Sequence, residues 1–85
     1  MPVLFRERGV RFFFYAHEGK PLEPVHIHAE KDDDTAKFWL RPAVVLEKNI
    51  GFKPRDLKRI EVTITERADE IEEAWNDFFR NAGQL

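Results

Sequence analysis

The sequence predicts an α+β fold, a small antiparallel β-sheet of four or five strands packed on a long C-terminal helix or two short helices, and three patterns carry that expectation. Apolar and aromatic runs at residues 3–6 and 11–16 flank Arg8 and Gly9, the spacing of a β-hairpin. Residues 25–30 and 35–41 each alternate apolar with polar side chains across the acidic stretch 31–34, which makes a second hairpin. From Leu57 onward the apolar positions Ile60, Ile64, Ala68, Ile71, Trp75 and Phe78 return every three or four residues, as on one face of a helix.

Between these patterns the chain is punctuated. Gly19, Pro21 and Pro24 make residues 18–24 a loop, because each proline lacks a donor and fixes its own φ; His17 belongs with that loop. Pro42 ends the strand at 35–41, and residues 44–47 can add a short edge strand. Asn49, Gly51 and Pro54 then lead into the helix, with Pro54 near its first turn. One helix, bent, is the expectation over the rest. A break near residue 64 is the alternative, because residues 62–65 are β-branched and Thr63 with Glu66 has capping-box spacing.

Length and composition bound the class. With 85 residues the chain has room for one domain, residues 1–85, and such a domain buries roughly 60 to 65% of the surface of its unfolded chain. A hydrophobic fraction of 42% with eight Phe argues for a packed core, and 35% charged residues for a water-facing surface. No cysteine occurs, which excludes disulfides and thiolate zinc sites and points to a reducing, cytoplasmic setting. No apolar run approaches the about 18 residues of a membrane span, so no membrane partner is expected. A formal net charge of −2 excludes a globally basic nucleic-acid binder but leaves room for a local basic patch.

The second hairpin fixes a register. If residues 31–34 form the loop, Glu30 faces Thr35, His28 faces Lys37 and His26 faces Trp39, while Ile27–Phe38 and Ala29–Ala36 form the apolar side that packs on the helix. The other side then gathers His26, His28, Glu30, Lys37, Trp39 and Arg41. In the first hairpin a two-residue Arg8-Gly9 turn pairs Phe5 with Phe12 and Val3 with Phe14 on the core side, which leaves Arg6, Arg11, Phe13 and Tyr15 on the open one.

That open face reads in three ways. Arginine and lysine neutralise phosphates and exposed aromatics stack on unpaired bases, so Arg11, Tyr15, Trp39 and Arg41 make a candidate nucleic-acid surface. The same aromatics equally suit burial by a cognate small protein or a second copy of the chain. His26 and His28, two apart on a strand, point the same way and exchange protons near neutral pH, so with Lys37 or Arg11 to stabilise phosphorane charge they form a candidate ribonuclease site. Alternatively His26, His28 and Glu30 supply three ligands to a divalent metal; ordinary surface or interface histidines have the same spacing. No cofactor is specified.

Charge along the C-terminal region is asymmetric. Lys53, Arg55, Lys58 and Arg59 crowd its beginning, and Glu66, Asp69, Glu70, Glu72, Glu73 and Asp77 its later part, which opposes the dipole of a single helix.

The runs Arg11-Phe12-Phe13-Phe14-Tyr15, Pro24-Val25-His26-Ile27-His28, Ala36-Lys37-Phe38-Trp39-Leu40, Gly51-Phe52 and Glu73-Ala74-Trp75 resemble those of the prokaryotic domain of unknown function 4160 family, over almost the whole chain. The most specific parts are the proline followed by His-x-His and the Ala-Lys-Phe-Trp-Leu strand. Members commonly carry two prolines before the first histidine, whereas here Glu23 precedes Pro24. The resemblance implies a small bacterial or archaeal protein encoded beside another small domain, similar to a toxin-antitoxin pair. It supplies no catalytic set. The functional expectation is therefore a toxin-antitoxin-like component acting on RNA, with a protein-docking module and a metal-binding domain as alternatives.

Overall fold

The computed structural model describes residues 3–16 and 23–83. Five strands, β1 (Val3–Glu7), β2 (Val10–Phe13), β3 (His26–Lys31), β4 (Asp34–Trp39) and β5 (Val45–Ile50), are followed by helices α1 (Pro54–Glu66) and α2 (Ala68–Gly83). The strands form one antiparallel sheet in chain order, β1-β2-β3-β4-β5. The α+β expectation holds, with two helices rather than one. His17, with most of the loop assigned to residues 18–24, lies outside the described residues.

Turn chemistry makes the meander. Arg8 and Gly9 both take positive φ (53° and 81°), the backbone a tight two-residue hairpin turn requires. The second turn is tighter than the four residues expected: Lys31 pairs with Asp34, and Asp32 alone of the turn residues sits at positive φ (55°), which aspartate tolerates. The Ile27–Phe38, Ala29–Ala36, His28–Lys37 and His26–Trp39 pairs all form. In the first hairpin Phe5 pairs with Phe12, but Val3 meets Phe13 rather than Phe14. An irregularity between Val3 and Phe5 takes up one residue, and β2 ends at Phe13.

Strand β5 runs from Val45 to Ile50, beyond the 44–47 expected. Its exit is held by Asn49, whose side chain accepts from the Phe52 N–H (3.1 Å) and donates to the Phe52 carbonyl (3.0 Å). Gly51 has φ of 100° and backs so closely onto Asp34 that a Cβ would overlap its carboxylate.

The helices pack on one side of the sheet. Phe12, Phe14, Ile27, Ala29, Ala36, Phe38 and Leu40 are buried with Ile60, Ile64, Ala68, Ile71, Trp75 and Phe79. Full burial of each large side chain contributes on the order of 1.5–3 kcal/mol. Phe79 thus takes the inward position expected for Phe78, which is only partly buried. The helical break lies at Arg67 (φ −112°, ψ 17°), whose N–H still reaches back to the Thr63 and Ile64 carbonyls. Thr63 sits inside α1 and donates to Glu7 Oε2 across to β1 (2.5 Å), so it forms no capping box. With the break at 67, Asp69 and Glu70 fall in the first turn of α2 and Arg80 in its last, which suits that helix's own dipole. The charge asymmetry of the sequence is a helix-start signal.

Among the described residues no helix is long and apolar enough to cross a membrane.

Candidate functional site

The face of the sheet away from the helices is built from cross-strand rows. One row runs across all five strands, Val3 to Phe13 to His28 to Lys37 to Lys48. Its neighbour runs across all five, Arg6 to Arg11 to Glu30 to Thr35 to Ile50. Each row sets two cations directly opposite one another, Lys37 against Lys48 and Arg6 against Arg11. Like charges in directly opposed positions destabilise a sheet by on the order of 0.2–1 kcal/mol per pair.

Carboxylates offset part of that repulsion. Arg11 is ion-paired with Glu30 and stacks over the Phe13 ring (5.6 Å). Lys37 lies 3.5 Å from a Glu23 carboxylate oxygen and 4.5 Å over the Trp39 ring. Lys48, on the exposed strand β5, lay beyond the edge strand read from the sequence; the bulge between Lys37 and Phe38 interrupts the alternation that marks such a position.

The two histidines have different surroundings. His28 is half-buried, stacked on Phe13 (5.5 Å between centroids, 21°) and edge-on to Tyr15 (4.7 Å). Phe13, Tyr15, His28, Thr35, Lys37 and Lys48 line a hollow of about 220 Å³. Tyr15 is more than a third exposed at its rim. His26, at the start of β3, has no exposed surface. Its ring meets Trp75 of α2 (4.8 Å), Trp39 (5.5 Å) and His28 (5.0 Å), and its Nδ1 lies 2.9 Å from the Pro24 carbonyl. The outward aim expected of both imidazoles therefore holds for His28 alone, because α2 wraps the end of the sheet where β3 begins. Phe13, expected as an open aromatic, is 2% exposed beneath its neighbours.

Arg41 leaves the face. Its guanidinium donates to Asp69 (2.8 Å) and Glu72 (3.0 Å) on α2, and these hydrogen bonds, Asp69 first, raise its pKa. For the metal reading, the Glu30 carboxylate is drawn to Arg11, and among the described residues no three His, Cys, Asp or Glu side chains are grouped so as to hold an ion.

What this surface can do follows from its groups. Two opposed cation pairs attract an anion longer than a single carboxylate, and the partly exposed His28 in the Lys37 row, with Tyr15 against it, offers ring faces and edges to an unpaired base. One imidazole with access to ligand permits proton donation but not a relay between two.

Comparison with curated proteins and with solved structures found no match. A family model, Domain of unknown function (DUF4160), matches residues 9–76, from the first turn through Trp75 and across the whole row that holds His28, Lys37 and Lys48. The chain belongs to the domain of unknown function 4160 family.

Proposed function

We propose that this chain binds RNA on the helix-free face of its sheet, as the nucleic-acid-contacting member of a toxin-antitoxin-like pair, and that it holds RNA without cutting it. The observation that carries this reading is the direct opposition of Lys37 and Lys48 beside the His28–Tyr15 hollow. The pairing costs the sheet stability, and a phosphate seated over it turns that repulsion into two charge-assisted contacts. Arg6 and Arg11 repeat the arrangement one row along and on the other side of β3, which suits a ligand long enough to carry several phosphates. Cleavage is set aside because His26 is fully buried and so cannot touch a phosphate together with His28. The toxin-antitoxin setting comes from the family resemblance, which also supplies the cognate small protein as a second partner.

Fluorescence anisotropy with a labelled single-stranded oligoribonucleotide tests the reading. Binding is expected at low salt, with log affinity falling linearly in log salt as about two to four phosphates are neutralised, and with the RNA intact afterwards. Absence of binding at low ionic strength removes the proposal; intact binding with RNA shortened by His28→Ala-sensitive cleavage restores the catalytic reading in its place. Expression alone and with the neighbouring gene shows whether growth arrest and its relief accompany the binding.

A further inference from the structure

Strand β5 is an edge strand, and among the described residues no strand pairs with its outer side. All six of its residues are exposed, including Val45 (52%), Leu46 (39%) and Ile50 (53%). Edges that must stay single are ordinarily kept short, charged or covered, because a row of free N–H and C=O groups beside apolar side chains recruits another strand. Here charge occupies only the middle, Glu47 and Lys48, with apolar residues toward both ends.

The bulge decides what this edge can accept. Val45 pairs with Trp39, Lys48 with Lys37 and Ile50 with Thr35, so these three share the helix-free face. Leu46 pairs with Phe38 and Asn49 with Ala36, so they share the helix face. Glu47 is the extra residue, set with Lys48 opposite the single Lys37. Read outward from the point between Glu47 and Lys48, the faces are therefore the same in both directions. A regular six-residue strand lacks this property, since its first and last side chains fall on opposite faces.

We propose that a second copy of this chain pairs along β5, antiparallel, about a two-fold axis normal to the sheet between Glu47 and Lys48. Directly opposed residues in a ladder share a face, and this register satisfies that for every pair: Val45 with Ile50 of the other copy, Leu46 with Asn49, and Glu47 with Lys48. The central pairs are opposite charges and the outermost Val45–Ile50 pairs are apolar, with Leu46 between them facing an Asn49 whose amide is already satisfied by the Phe52 backbone, so the strand is complementary to itself. Registers centred one half-step away fail twice. They set Glu47 or Lys48 against its own copy, and they place Leu46 opposite a residue of the other face. Because the axis is normal to the sheet, the two His28 hollows lie on the same side of one continuous sheet. The inference rests on β5 and goes beyond the RNA reading; the two share Lys48, while Glu47 serves dimerisation only and Lys37 serves RNA contact only.

Sedimentation equilibrium on the full chain tests it, with Glu47→Lys, and Glu47→Lys combined with Lys48→Glu, as variants. The expected results are twice the 10.1 kDa chain mass for the wild type at micromolar concentration, and dimerisation weakened about tenfold or more by Glu47→Lys, because two symmetry-related pairs change from attraction to repulsion. The double variant, with the charges exchanged, recovers dimerisation to within about threefold of wild type. Circular dichroism confirms that the variants fold, as exposed edge positions predict. A monomeric wild type, a dimer indifferent to Glu47→Lys, or a double variant no better than the single one overturns the proposal. Lys48 serves both surfaces, so the RNA reading is tested apart on Lys37→Ala, which should weaken RNA contact and leave dimerisation unchanged.

Discussion

The two ends of the helix-free sheet face share strand parity and differ in what covers them. At one end His26 opposes Trp39 and is closed over by Trp75 of α2. At the other His28 opposes Lys37, and the row continues to Lys48 at the exposed edge. Parity alone assigns both imidazoles to one face. A third layer then decides which of them meets solvent, because a helix that overhangs the end of a sheet turns a surface position into a core one. The closed end is built for packing and the open end bears charge that packing does not need.

Breaking the closed end has the largest expected effect. Trp75→Ala removes a ring that touches Phe14, His26 and Phe79 and should destabilise the fold by about 3–5 kcal/mol in urea unfolding. Peptide mapping after diethyl pyrocarbonate treatment should show His26 becoming reactive in that variant, while His28 reacts in both proteins. His26→Ala is next, at about 2 kcal/mol, since it leaves a cavity and takes away the partner of the Pro24 carbonyl. His28→Ala should cost about 1 kcal/mol or less by the same assay and weaken RNA binding severalfold. If His26→Ala proves as mild as His28→Ala, the two ends are energetically alike and the contrast fails. The smallest change in stability belongs to Lys48→Ala, within about 0.5 kcal/mol; its RNA affinity should drop by about tenfold and its salt dependence become shallower by about one unit.

Much of this was legible in the sequence, and the reasons are local. The second hairpin follows from alternation on both sides of a short acidic turn, so the His28–Lys37 and Ala29–Ala36 pairs come out at the right register. The first hairpin slips at Val3 because the irregularity between Val3 and Phe5 has no compositional mark. Lys48 escapes for a related reason: the bulge places Glu47 and Lys48 opposite one residue, and the pattern past Leu46 no longer alternates. The helix break was written in charge, since acids at 69 and 70 suit the start of a helix and not the middle of one. Burial of His26 was not legible. It depends on a tryptophan from the far end of the chain and on how far α2 overhangs β3, neither of which leaves a periodic signal.

The most direct test of the working surface is a backbone and imidazole NMR titration of the wild-type chain with a single-stranded oligoribonucleotide. The expected perturbations centre on Arg11, Tyr15, His28, Lys37 and Lys48 and spare the His26–Trp75 contact and the outer faces of α1 and α2. Perturbations confined to the helices, or an undisturbed His28 row under saturating RNA, contradict it.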